Sequence, residues 1–230
     1  MSDKPVHVVI VAAGSGSRFG SDIPKQFVPL CGRPVVFYPI EAFRTAMPDA
    51  EITLVISPSM EELWRDLCAK HGFTSPRIVY GGATRWESVR NALGAYPGHD
   101  TVYIHDGARP LVTPDLIKRL GAALSDGRAD GALPAVALTD SIRLLHDGKP
   151  STAVDRSRYK AIQTPQVFDG HKLEQAYRLP YSPAFTDDAS VMEAAGHDNI
   201  ILVEGDSRNI KITHGGDIAL AAYHIDNAAK

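Results

Sequence analysis

The chain has 230 residues, 44% hydrophobic and 22% charged, an ordinary globular composition long enough for one large α/β domain. Its formal net charge of −3 lacks the basic excess of a duplex-binding protein, so nucleic acid is not an expected partner and an anion site must be a local cluster of cations. Cys31 and Cys68 stand far apart without metal-type spacing, no apolar run approaches the ~20 residues of a membrane span, and MSDKPVHVVIV has no basic leader region; the expectation is a cytoplasmic protein without membrane association.

Taken in chain order, the elements alternate. Val6–Val11 is an apolar, β-branched run of the kind found in a strand buried on both faces. Similar runs recur at 52–56, 77–80, 101–105, 132–136 and 200–203, with helical patterns between most of them. Residues 34–44 read as a helix in which Pro39 either makes a kink or lies near the start. Ser59 with Glu62, and Thr84 with Glu87, fit the capping box; Thr113-Pro114-Asp115 supplies an N-cap, a proline at the first helical position and an early acid. Residues 138–146 and 151–155 break the alternation and read as a β-hairpin around a four-residue turn at 147–150. Such a hairpin is marginal alone and needs something to pack on. Thr186 reads as a helix N-cap, residues 209–213 as an alternating strand presenting Lys211, and residues 215–228 as a closing helix. Strand–helix alternation implies a mostly parallel sheet covered on both faces, with ligands beyond the carboxyl ends of the strands.

The residues after those strands carry the chemistry. VAAGSGSRFGSDIPKQF follows the first strand; Ala12, Ala13, Gly14, Ser15 and Gly16 let backbone N–H groups approach an anion, and Arg18 and Lys25 add fixed cations suited to a triphosphate. It is neither a dinucleotide fingerprint, because Phe19 stands where the third glycine belongs, nor a P-loop. Gly81 and Gly82, before a capped helix, leave room for a flat base against backbone. Asp106, at a strand end beside such a phosphate site, is a natural Mg²⁺ ligand. Each loop alone also fits a plain tight turn; together they point to nucleotidyl transfer. The nine histidines lack metal-binding spacing, and His105 reads as structural.

In their order AAGSGSRFG, PKQF, GGATRWESV, HDGARP, AVDR, QTPQVF, TDDAS and NIKIT, these strings resemble the 2-C-methyl-D-erythritol 4-phosphate cytidylyltransferases, from residue 12 to 213. The resemblance implies a Rossmann-like single domain spanning the chain, with a mostly parallel central sheet and a protruding β-arm, about 138–158, that completes a homodimer. It implies transfer of CMP from CTP to methylerythritol phosphate, with release of pyrophosphate and with Mg²⁺ or another divalent cation. By position, Arg18 and Lys25 match transition-state residues, to which the charge argument adds Lys211. Gly81, Gly82 and Ser88 match cytosine and ribose contacts, and Gly107 follows Asp106, which matches the metal and substrate residue. Arg109, Ser141, Arg156, Thr164 and Lys211 match residues around the alcohol phosphate, some reaching in from a partner's arm. Ser141 stands where many relatives carry Thr, Ala83 where some carry an acid, and Gly107 where Ala is frequent. Three other readings stay open: a pentitol-phosphate cytidylyltransferase, a dinucleotide-binding oxidoreductase, and a non-catalytic nucleotide-binding regulator.

Overall fold

The computed structural model describes residues 5–14 and 23–228. β1 is Val6–Val11, as its β-branched run predicts. A short hairpin, β2 (Pro29–Leu30) and β3 (Arg33–Pro34), turns through Cys31 and Gly32 at φ 47° and 79°. In α1 (Phe37–Ala46), Pro39 occupies the first turn, where a missing N–H leaves no helical bond unmade, so no kink is needed. After β4 (Glu51–Ile56), Pro58 opens a 3₁₀ turn, Pro58–Met60, that runs into α2 (Glu61–His71). The expected cap at Ser59 is therefore displaced: Ser59 lies inside that turn, bonded to the Ser57 hydroxyl at 2.9 Å, and α2 begins without a side-chain cap.

β5 (Arg77–Tyr80) precedes α3 (Arg85–Ala95), which Thr84 and Glu87 cap reciprocally as expected. β6 (Thr101–Asp106) leads to α4 (Pro114–Leu124), capped by Thr113. Next come β7 (Gly131–Ala137), β8 (Arg143–His146), β9 (Lys149–Ala153), β10 (Lys160–Ile162) and β11 (Gln166–Asp169). α5 (Gly170–Ala176), α6 (Asp188–Ala194), β12 (Ile200–Glu204) and α7 (Gly215–Ala228) complete the order.

The central sheet runs β5-β4-β1-β6-β11-β7, with β10 and β12 also on β7. β5, β4, β1 and β6 are parallel neighbours, as are β7 and β12, whereas β10 and β11 run antiparallel. The two-residue period of the strands divides the core. Val8, Ile10 and Leu54 pack with Phe37, Ile40, Phe43, Leu116 and Leu120 beneath α1 and α4. Val9, Val55, Val102 and Ile104 face the other way, against Val89 of α3, Leu173 of α5, and Val191 and Met192 of α6. The strand order reverses at β1: β4 and β5 build outward on one side, then β6 returns to the other, and the crevice at such a reversal is where open α/β sheets bind ligands. No helix among the described residues is long and apolar enough to cross a membrane.

Three further expectations are corrected. The arm's turn is two residues, Asp147-Gly148, between paired His146 and Lys149, with Gly148 at φ 64° and a register shift at Leu144/His146; residues 138–142 precede the strand. Asp-Gly suits the tighter turn because glycine takes the positive φ that a two-residue hairpin loop requires. The N-cap of α6 is Asp187, one residue beyond Thr186, in a capping box with Ser190. Residues 209–213 form no strand, because the Ile212 N–H bonds to the Ala108 carbonyl and the Thr213 N–H to Asp217, leaving no ladder partner.

His7 lies fully buried in β1, bonded to Thr53 at 2.8 Å, with the His99 ring 4.7 Å away. Burial, then the charges of His99 and Arg77, push its pKa down to about 3. The unfolded chain takes up this proton below about 6.5 and the folded one does not, so stability is lost as pH falls from about 6.5 toward 3. Denaturant titration should show wild type losing about 1.4 kcal/mol more per pH unit than His7→Gln between roughly pH 6 and 4. Parallel slopes would show that His7 protonates in the native state.

Candidate active site at the strand-order reversal

A cavity of about 480 Å³ opens above the carboxyl ends of β1, β5 and β6. Its walls are the residues after those strands: Ala12 to Gly14, Gly82 to Arg85, and Asp106 with Ala108, joined by Lys25, Gln26, Ser88, Lys211 and Thr213. Ser15, Gly16 and Arg18 lie outside the described residues.

Gln26 fixes the first wall. Its buried amide donates to the carbonyls of Ala12 at 2.5 Å and Gly14 at 2.9 Å, tying the loop after β1 to the turn that carries Lys25. Asp217 in the first turn of α7 accepts the Thr213 and His214 N–H groups at 2.7 and 2.8 Å. Burial raises its pKa, but those two bonds and the charges of His214 and Lys25 bring the carboxyl below its ordinary range. Lys25 therefore sits within the field of α7's first turn.

Gly81 and Gly82 form the second wall by close approach. A Cβ on Gly81 would stand 2.4 Å from the Ala13 Cβ and 2.8 Å from the Ser88 Oγ. Gly81→Ala must push the two walls apart, an overpacking cost of about 1–3 kcal/mol. It should weaken nucleotide binding in calorimetry while the variant stays folded; unchanged affinity would show that the walls can yield.

The third wall concentrates charge. Asp106 is 7% exposed and faces Lys211 Nζ at 2.8 Å, Arg85 Nε at 3.3 Å and Arg109 Nε at 3.7 Å. Burial alone would raise its pKa; Arg85, Lys211 and Arg109 outweigh it and hold the carboxyl far below the usual range. Antiparallel β11 brings Thr164 to this end of β6, where its hydroxyl accepts the Asp106 N–H at 3.0 Å. The same hydroxyl donates to His105 Nδ1 at 3.1 Å, which leaves Nε2–H to donate to the Arg109 carbonyl at 3.1 Å. Burial pushes the His105 pKa down to about 4, so the ring is a neutral brace, as its sequence context suggests.

Of the expected site residues, Ala12, Ala13, Gly14, Lys25, Gly82, Ser88, Asp106 and Lys211 line the cavity. Gly81 and Gly107 support it from behind: a Cβ on Gly107 would press on Ala12 at 3.1 Å and the Val11 carbonyl at 3.2 Å. Arg109 and buried Thr164 brace Asp106 from below, with Arg109 also donating to the Asn209 carbonyl at 2.8 Å. Ser141 and Arg156 are exposed on and beside the arm, outside this chain's own cavity, and Arg156 bonds to the Thr139 carbonyl. Arg85, Gln26 and Thr213 also line the cavity, beyond the residues that the sequence motifs single out. Arg85 had a signal: it follows the cap Thr84, so it places a cation at the positive end of α3, where an acid is preferred.

Three cations and one carboxylate among the described cavity residues suit a polyanionic ligand on a chain whose net charge is negative. Comparison with known proteins agrees with that chemistry. A family model for 2-C-methyl-D-erythritol 4-phosphate cytidylyltransferase matches residues 6–227. The 2-C-methyl-D-erythritol 4-phosphate cytidylyltransferase of Bacteroides thetaiotaomicron is 42% identical over 94% of this chain and 97% of its own length. The crystal structure of 4-diphosphocytidyl-2C-methyl-D-erythritol synthase from Anaerococcus prevotii superposes with a TM-score of 0.81 at 26% identity, covering 97% of this chain and 96% of that one. The Francisella tularensis cytidylyltransferase gives 0.76 at 29% identity, covering 95% and 99%. With residues of five of the matched strings lining one cavity and the match running nearly end to end, the chain belongs to the 2-C-methyl-D-erythritol 4-phosphate cytidylyltransferase family.

Proposed function

We propose that this chain, as one catalytic domain, transfers the cytidylyl group of CTP to 2-C-methyl-D-erythritol 4-phosphate and releases pyrophosphate. The observation that carries the reading is the cavity at the strand-order reversal, which Lys25, Arg85 and Lys211 line together with one carboxylate, Asp106, and glycine backbone. An oxygen of the acceptor's phosphate attacks the α-phosphorus of CTP, and the bond to the pyrophosphate oxygen breaks. Two polyanions must meet, so the protein's task is positioning and charge stabilisation rather than covalent chemistry. Lys25 and Lys211 stabilise charge at the α-phosphate, joined by Arg18 on the strength of its position in the family's pattern. Ala12, Ala13, Gly14 and the succeeding Ser15 and Gly16 cradle the triphosphate; Gly81, Gly82 and Ser88 receive the base and ribose. No general base is needed, because a phosphate monoester is largely ionised near neutral pH.

Asp106 is the one carboxylate among the described cavity residues, and no cluster of three or more His, Cys, Asp or Glu able to hold a metal occurs among them. That donor set fits Mg²⁺ carried in on the triphosphate and held by a single carboxylate, not a dedicated protein cage. When bound, the ion would neutralise triphosphate charge.

Arg109, Thr164 and Lys211 serve the acceptor-phosphate side. Ser141 and Arg156 serve it from the arm of a second copy; the arm's exposed Leu144 and Leu145, 53% and 81% accessible, support its use as a homodimer contact. The free thiols, one of them exposed, suit a cytoplasmic setting. The test is pyrophosphate release with methylerythritol phosphate and Mg²⁺, CTP set against the other triphosphates. Turnover with CTP alone is expected; no turnover, or faster turnover with a pentitol phosphate, overturns the assignment.

A further inference from the structure

Asp188 lines no part of the cavity, yet it is a fully buried carboxylate aimed at it. Its Oδ1 and Oδ2 accept both terminal nitrogens of Arg85, at 2.9 and 2.7 Å, and the Tyr177 hydroxyl donates to Oδ1 at 2.6 Å. Held end-on in this way, Arg85 meets Asp106 through Nε alone, at 3.3 Å. The mount is rigid. Asp187 caps α6, and Gln166 of β11 donates to Asp187 at 2.8 Å while accepting the Ala189 N–H at 3.1 Å. Burial, and then the neighbouring Asp188 charge, raise the Tyr177 pKa, so its hydroxyl remains a donor.

We propose that Asp188 and Tyr177 are positioning residues that act through Arg85: by holding the guanidinium end-on, they keep it from turning to clamp Asp106 with a second N–H and leave that carboxylate available to the incoming metal–triphosphate. A guanidinium released from Asp188 has a strong preference for two parallel bonds to a carboxylate, and Asp106 is the one within reach. Clamped in that way, Asp106 is withdrawn from the ligand. Asp188→Asn frees the fork, because the new amide would set N–H against N–H. The inference rests on the reading of Asp106 as the residue that meets the metal.

Two readouts test it: the Mg²⁺ concentration giving half-maximal rate, and Mn²⁺ binding in the presence of CTP without acceptor, followed by electron paramagnetic resonance. Asp188→Asn should weaken both by about tenfold or more, the scale of a second-sphere loss at a metal site. Arg85 itself lines the cavity, so Arg85→Gln sets the baseline: adding Asp188→Asn to it should cause no further loss, because no guanidinium remains to clamp Asp106. A purely structural role for Asp188 would lower metal affinity in the Arg85→Gln background as well, and that result overturns the proposal, as do unchanged metal affinities in Asp188→Asn. Tyr177→Phe removes one donor from Asp188 and should shift both readouts in the same direction by a smaller factor; if Asp188→Asn does not fold, an unshifted Tyr177→Phe overturns the proposal by itself. Wild-type protein that turns over CTP while the variants keep its metal affinity refutes this inference alone, whereas wild-type protein that releases no pyrophosphate refutes the proposed reaction.

Discussion

Lys25→Ala is expected to lower kcat by roughly 10²–10³-fold, the range found when one preorganised charge-stabilising group is removed, while the KM for CTP changes far less. Ground-state binding keeps several supports: the backbone of the loop after β1, the Gly81-Gly82 wall, and the cations Arg85 and Lys211. What Lys25 adds is a charge held in place before the reaction. Pro24 and Gln26 on either side are buried, the Gln26 amide is bonded to the opposite loop, and Asp217 faces the lysine from α7. A group fixed in this way costs no reorganisation as charge shifts at the α-phosphorus. Steady-state kinetics with CTP and the acceptor varied separately checks this. A loss lying wholly in KM would make Lys25 a binding residue and remove it from the transition state.

Asp106→Asn should reduce kcat/KM by a comparable factor, about 10²-fold or more, for a different reason. The amide keeps the shape of the carboxylate but removes the shared counter-ion of Lys211, Arg85 and Arg109. Those cations then repel one another, and the cavity loses its one described carboxylate. The Mg²⁺ concentration for half-maximal rate should rise by at least about tenfold, and an unchanged value would exclude Asp106 from the metal's coordination. The pH profile carries a second expectation. Because the three cations hold Asp106 ionised far below its ordinary range, the carboxylate charge persists through the neutral and mildly acidic range and is lost only as pH falls through that lowered value. An acid limb in kcat above about pH 4 should therefore belong to another group, and should remain in Asp106→Asn.

The signals that could be read along the chain were those whose physics is local. β1 and β5 are bounded as their apolar runs predict, and Thr84 and Thr113 cap α3 and α4 because each cap bonds only three residues ahead. Local signals misled where a distant partner decided the outcome. The alternation of residues 209–213 does not survive in the fold: Asn209 and Ile212 are both buried with exposed Lys211 between them, and Ala108 and Asp217 take the backbone bonds that a neighbouring strand would have used. The two-residue turn, by contrast, follows from its own sequence, because Asp147-Gly148 supplies the glycine that takes a positive φ between paired His146 and Lys149.

By itself the sequence determined the alternating α/β order, the three loops at strand ends, and the cations available to a triphosphate, because periodicity, capping and glycine content act within a few residues. Only the tertiary structure decided which charges meet. Arg85 and Asp188 are 103 residues apart in the chain, and nothing local marks Asp188 as more than an acid in the first turn of a helix. Packing α6 against α3 and β11 sets that carboxylate on Arg85 and turns Arg85 toward Asp106, while the segment leading into α7 delivers Lys211 to the other oxygen. Coulomb interactions depend on separation and burial, and folding alone sets both.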